Sequence, residues 1–246
     1  MLYRDLGGIR NKEGKTIKKN FLFRSANLSK INAKTLKKLK DMHLYKIIDL
    51  RTSEEASERP DKAIDNVQYI HMPLLNVKTV GITYEKDTGM KEMIEALPNM
   101  ADLYRSMVTS EYSVSQIKQI IREIIESDGF PILFHCTAGK DRTGIVALLL
   151  LSILDVDKSE IIKDYLYESK KHKLKSLGLY LLSMFVTGNR ALASKVRTSF
   201  LVDEKYLIAA IQAINEKYGS IDAFIKNELD ISDIDKEAFK STVLCV

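Results

Sequence analysis

At 246 residues and 28.0 kDa, with 45% hydrophobic and 29% charged residues, the chain has ordinary globular composition, which excludes fibrous, collagen-like and wholly disordered architectures. Its net charge of +5, from 38 Lys and Arg against 33 Asp and Glu, is far from the basic stripe of a dedicated nucleic-acid binder. The longest apolar run, Ile145 to Leu151, falls short of the roughly 20 residues of a membrane span, so no stable membrane insertion is expected. Charges from Arg4 to Lys19 interrupt any leader-like apolar stretch; a cytoplasmic protein is expected, with a non-classical secretion route left open.

Taken in chain order, Asn32 can cap a helix carrying Leu36, Leu39 and His43. The segments Tyr45 to Leu50 (YKIIDL), Val67 to Met72 (VQYIHM) and Pro131 to His135 (PILFH) are short and rich in Ile, Val and aromatics, which suits buried strands. Before the last of them, Ser113 can cap a helix with Ile117, Ile120, Ile121, Ile124 and Ile125 on one face, ending near Gly129. Strands alternating with helices predict an α/β fold: a central, mostly parallel sheet flanked by helices. Beyond Leu154 the pattern turns helical. Asp157 to Glu160 (DKSE) reads as a capping box, breaks are expected near Gly178, Gly188 and Gly219, Ser220 and Ser232 serve as caps, and no strand is expected. Nothing marks a linker or a repeat, so one domain over 1–246 is expected, with an α/β core over 1–155 and a helical layer over 156–246.

The two cysteines, Cys136 and Cys245, are too few for a disulfide framework, and no spacing of His or carboxylates around them makes a metal site; neither metal nor cofactor is expected. Cys245, next to the last residue, reads as inert. Cys136 lies in Phe134 to Gly144 (FHCTAGKDRTG), between a buried strand and the apolar helix from Ile145 to Leu154. A loop of this length can turn its backbone N–H groups inward at the positive end of the following helix, making an anion nest that fits phosphate. Arg142 can hold two phosphate oxygens with its planar fork. Cys136 at the base of the nest would have its thiolate favoured, with a pKa below the free value of about 8.5, and could attack phosphorus in line. The bland alternative is a buried core cysteine. Five residue types at fixed positions arise by chance on the order of once in ten thousand chains of this size, and the strand–loop–helix context is present too.

The loop resembles the HCxxGxxR signature of the cysteine-dependent protein tyrosine and dual-specificity phosphatases. With Tyr3 to Gly8 (YRDLGG), Phe23 to Ala26 (FRSA), Ile48 to Arg51 (IDLR) and Tyr218 to Ser220 (YGS), the chain is similar to the bacterial tyrosine/lipid phosphatases of the triple-specificity type. Residues 76–112 match no motif of that family. The resemblance implies metal-independent hydrolysis of phosphomonoesters through a cysteinyl-phosphate intermediate, with the catalytic loop over 135–142. Cys136 would be the nucleophile and Arg142 the transition-state arginine. Thr137, Ala138, Gly139, Lys140 and Asp141 would supply loop amides, Thr143 a hydroxyl for the departing thiolate, and His135 an anchor for the loop. No Trp exists in the chain, so the usual Trp-Pro-Asp acid loop is missing. Asp141, within the loop, and Asp49, at the carboxyl end of its strand and otherwise a partner for Arg51 or Arg142, remain rivals as general acid.

Lys140 would add a cation beside the phosphate, which the resemblance ties to phosphoinositides; otherwise it is a solvated loop lysine. Lys170, Lys171, His172, Lys173 and Lys175 could attract anionic headgroups or be a wet helix face. The expected partner is a phosphorylated protein or a phosphoinositide. Phosphotyrosine is the first substrate, with phosphoserine and phosphothreonine as further candidates, and oligomeric state is left open. A catalytically silent phosphate-binding module is the alternative, with a sulfur-transfer or arsenate-reducing enzyme behind it.

Overall fold

Strand residues alternate between two apolar faces, and this alternation sets the architecture of the computed structural model, which describes residues 3–76 and 90–245. The main sheet runs in the order β1 (Tyr3–Asp5), β3 (Leu22–Ser25), β6 (Ile132–His135), β4 (Lys46–Asp49), β5 (Gln68–His71), with β1 antiparallel and the rest parallel. Phe23, Ile47 and Leu133 point to one face, where Leu28, Ile31 and Leu39 cover them; Leu22, Ile48, Ile132 and Phe134 point to the other, into the larger core. Both faces are therefore dry, as a parallel sheet requires.

Helix α1 (Ala33–Asp41) covers the smaller face. Its cap is Asn32, which accepts from Thr35 N, and His43 falls beyond its end. Helix α2 (Ser53–Glu58) follows β4. On the larger face, α5 (Glu111–Ile125) brings its isoleucines onto α6 (Asp141–Ile153), a helix buried on every side. The cap of α5 is Ser110 rather than Ser113, because a Ser113 cap would strand the turn that Glu111 and Tyr112 complete; Ser113 instead donates its N–H to Ser110. Short helices α3 (Met90–Glu95) and α4 (Met100–Thr109) precede it, so the stretch without a motif is partly helical, while 77–89 lie outside the described residues.

The later chain forms α7 (Lys158–Tyr165), α8 (Ser169–Thr187), α9 (Arg190–Phe200), α10 (Glu204–Tyr218), α11 (Ile221–Ala223), a π-turn over Phe224–Glu228, and α12 (Asp233–Val243). Ser220 and Ser232 cap as expected, and Gly188 and Gly219 end helices. Three expectations fail here. Gly178 sits inside α8 without a break, since a glycine weakens a helix by only about 1 kcal/mol. Asp157 caps α7 by accepting from Ser159 N, with no reciprocal bond from Glu160. A strand also exists near the end of the sequence: β7 (Leu244–Cys245) pairs antiparallel with β2 (Thr16–Ile17), each too short to show a period-two pattern. Cys245 is exposed there and contacts Thr16.

Candidate active site

The loop between β6 and α6 is moulded by the end of β3. Gly139 adopts φ +70°, and a Cβ there would stand 2.6 Å from the carbonyl atoms of Ser25, so no side chain fits. Arg24 Nη2 donates to Gly139 O at 3.0 Å, while Asn27 donates to Thr137 O through its N–H (3.3 Å) and its side-chain amide (2.8 Å). The FRSA segment is thus the template of the loop. So held, Gly139 N–H donates to the buried Cys136 Sγ at 3.3 Å. No side chain caps α6 at Lys140, which leaves first-turn N–H groups for an anion. Thr143 is fully buried, and its hydroxyl has no hydrogen-bond partner among the described residues.

Arg142 is oriented by a residue absent from the sequence expectations. Its Nη1 and Nη2 donate to Glu55 Oε2 (2.5 Å) and Oε1 (2.9 Å), and Nη2 also reaches Thr137 Oγ1 at 3.2 Å. Thr137 Oγ1 donates to Glu55 as well. Glu55 is placed by the capping box of α2, in which Thr52 N donates to Glu55 Oε2 and Glu55 N to Thr52 Oγ1. Burial opposes the Glu55 charge, but the bonds from Arg142 and Thr137 outweigh it and bring the carboxyl down to about 2. Burial likewise opposes the Arg142 charge, which the Glu55 bond and the adjacent Cys136 sulfur hold firmly in place.

Asp141 and Lys140 form a pair at the start of α6. Lys140 Nζ lies 2.8 and 2.7 Å from the two Asp141 oxygens and 3.4 Å from Leu201 O, and the side chain is buried. Lys140 is therefore not a solvated loop lysine: its ammonium is drawn to the connection between α9 and α10 by a carboxylate and a carbonyl. Tyr104 OH donates to Asp141 Oδ1 at 2.7 Å and meets Tyr165 OH at 2.7 Å. Burial pushes both phenols well up, so both stay protonated donors. Tyr165 fits because position 144 is glycine; a Cβ would lie 3.1 Å from its ring.

Asp49 stands in register with His135 at the carboxyl end of the sheet, but its carboxylate is engaged elsewhere. Oδ1 accepts from Arg51 N and Nε at 3.0 and 2.9 Å, and Oδ2 from Nη2 at 2.6 Å. Arg51 also reaches Asp61 Oδ2 at 2.9 Å, and His135 Nε2 lies 3.0 Å from that same oxygen. Asp49, Asp61 and His135 are spaced closely enough for a metal ion, and the guanidinium of Arg51 is the cation between the carboxylates. Burial opposes the Asp61 charge, yet His135 and Arg51 hold its carboxyl below the usual range. Asp61 Oδ1 accepts Leu28 N, which ties this buried cluster to the segment after β3.

Of the expected site residues, the structure gathers His135 to Thr143 around one strand–helix junction and sets Asp49 in the cluster beneath it. A cavity of about 470 Å³ opens along the loop and is lined by Ser25 to Asn27, Thr137 to Lys140, Tyr165, Lys175 and Phe200; Cys136, Asp141 and Arg142 do not reach its wall. Asp49 lines a separate cavity of about 310 Å³ with Arg51, Asp61 and His71. Sequence reading missed Glu55, whose signal is the Thr52-x-x-Glu55 spacing directly after IDLR. It also missed Tyr104 and Tyr165, whose hydroxyls carry no local motif.

The model of the tyrosine phosphatase family matches residues 3–245. A Cupriavidus necator protein, H16_A0669, is 29% identical over 231 residues, covering 93% of this chain and 81% of its own length. The triple specificity protein phosphatase PtpB of Mycobacterium tuberculosis is 26% identical over 235 residues, covering 84% of each. Among solved structures, P. aeruginosa TpbA in complex with pTyr shares 14% identity, over 62% of this chain and 71% of that one, with a TM-score of 0.36. The chain belongs to the tyrosine phosphatase family and is a phosphomonoester hydrolase of the protein-tyrosine-phosphatase type.

Proposed function

We propose that the protein hydrolyses phosphotyrosine, and with it other phosphomonoesters including phosphoinositides, through a cysteinyl-phosphate intermediate formed on Cys136. The observation that carries this reading is the Gly139 N–H directed at Cys136 Sγ in a loop whose arginine is already fixed by Glu55. The substrate phosphate is held by the loop amides, the uncapped start of α6 and Arg142, whose Nε–H and one Nη1 hydrogen are left over after Glu55 and Thr137 are served. Cys136 sulfur forms a bond to phosphorus as the bond to the leaving oxygen breaks, and the Asp141 carboxyl gives that oxygen a proton. Water then attacks phosphorus, its proton passes to Asp141, and the sulfur leaves as a thiolate that accepts the Thr143 hydroxyl.

Asp141 suits the acid role better than Asp49. It lies within the nucleophile loop, and although Lys140 and Tyr104 engage its oxygens, it stands outside the buried Arg51–Asp61–His135 cluster in which Asp49 is locked. Lys140 then positions the acid, and additional phosphates of a phosphoinositide would meet Arg4, Arg59 and Lys175 along the cavity. Residues 1–155 and 156–246 act together in one catalytic domain, a reading supported by the contact of Lys140 with Leu201. The test is rapid-quench trapping with a phosphotyrosine peptide. Wild type should yield a phosphate-labelled protein, and Cys136→Ser should yield none and no turnover while still binding vanadate; turnover by Cys136→Ser above a trace overturns the mechanism.

A further inference from the structure

The hairpin of α8 and α9 stands apart in charge. Residues 169–202 carry seven Lys and Arg and no Asp or Glu, leaving 31 basic against 33 acidic residues, or −2, in the rest of the chain. The net positive charge of the protein therefore resides in one helical hairpin.

Its outer face is apolar. Leu174, Leu177, Leu181 and Phe185 recur along α8 at spacings of three and four, and they are 77%, 45%, 59% and 89% exposed. Leu182 and Val186 widen the stripe. At 100° per residue, exposed Lys173 and Lys175 fall on either side of it. The inner side packs in the ordinary way, with Leu179 and Phe200 against Ile94, Leu192 and Val196. An apolar strip this open, on a helix whose inner face is already satisfied, marks an interaction surface.

We propose that this face docks on an anionic lipid bilayer, lying in its surface with the leucines and Phe185 below the headgroups and the flanking lysines among them. Charge selects the occupant. A second copy would bring another hairpin with seven basic and no acidic residues against the first, and a nucleic acid would cover the leucines with phosphates. A negatively charged bilayer satisfies both the cations and the apolar strip. The helix lies on the membrane rather than across it, since no helix among the described residues is long and apolar enough to span one. Lys175 and Phe200 also line the cavity beside the catalytic loop, so docking brings that cavity to the headgroup layer. The inference does not depend on the proposed catalytic mechanism.

The test is flotation of the full chain with phosphatidylcholine vesicles, with and without phosphatidylserine, at low and high salt. Wild type should float with the serine-containing vesicles alone and be released by salt. Phe185→Ser should weaken partitioning about tenfold or more, and Lys173→Ala with Arg190→Ala about fivefold per charge. All these positions are exposed, so thermal midpoints and turnover of a soluble aryl phosphate should be unchanged. Equal binding to neutral vesicles, no binding at low salt, or binding indifferent to Phe185→Ser would each overturn the proposal. So would a concentration-dependent dimer, or a complex with an acidic protein, that Phe185→Ser abolishes while vesicle binding is absent.

Discussion

Glu55 and Arg142 face each other fork to fork, with nitrogen–oxygen separations of 2.5 and 2.9 Å, so the guanidinium at the start of α6 is held in one plane by a residue of another strand–helix unit. The carboxylate comes from a different strand–helix unit than the loop, and the same Glu55 oxygen that receives Nη1 also receives the N–H of Thr52. Capping of α2 and orientation of Arg142 are thus one structural event.

Glu55→Gln should therefore lower kcat/KM by about 100-fold, the scale of a misplaced catalytic group, while leaving the fold intact. The pH dependence has a definite sign. The folded carboxyl sits near 2 against an ordinary 4.5, so its stabilising effect is complete above 4.5 and is lost as pH falls towards 2. The difference in thermal midpoint between wild type and Glu55→Gln should be constant at neutral pH and close across that window. A difference that persists at the acid end would show that the ion pair is not its source.

Asp141→Asn should slow an alkyl phosphate by about 100- to 10,000-fold and an activated aryl phosphate far less, because only the poor leaving group needs the proton. Asp49→Asn should slow both alike and destabilise the fold by about 3 kcal/mol, since it removes one partner of a buried pair with Arg51. Steady-state rates on the two esters, with a denaturation curve for each variant, check this; leaving-group discrimination by Asp49→Asn alone would move the acid to that residue.

Gly139→Ala places a methyl group 2.6 Å from the backbone of Ser25 at a positive φ, and backbone on both sides cannot yield as a side chain would. A cost of about 1–3 kcal/mol follows, or roughly 2–12 °C in thermal midpoint for a chain of this size. Because the same residue points its N–H at Cys136, activity should fall further than stability alone explains. Calorimetry beside burst kinetics separates the two; a variant that is destabilised but fully active would remove Gly139 from the nest.

The strands β4, β5 and β6 and the loop 135–142 were legible in the sequence because each is a short apolar run or a dense motif. The pairing of β2 with β7 was not, since two residues carry no periodicity and the partners are far apart in sequence. The motif over 134–144 singled out Cys136, Arg142 and Asp141 as candidates, but not the residues that hold them. Glu55, Tyr104 and Asp61 act through folded proximity; the Thr52-x-x-Glu55 spacing announces a helix cap but not a partner for Arg142, and Tyr104 and Asp61 carry no local motif. The environment of Lys140 was equally hidden, because its burial depends on Leu201, in the connection between α9 and α10. What a motif states is which groups react; which groups constrain them is a property of the tertiary structure.

The ribbon of β2 and β7 bears on how the chain is made. Residues 16–17 already turn back on residues 8–10 through the Arg10–Thr16 bridge and the Ile17–Ile9 bond, so on a ribosome one side of the segment is satisfied early while its other edge waits for residues 244–245. At about 5–20 residues per second the wait is of the order of ten seconds or more, during which the parallel sheet and α6 can already consolidate. A nascent chain stalled before β7 would then carry an assembled loop 135–142 while one edge of β2 is still open.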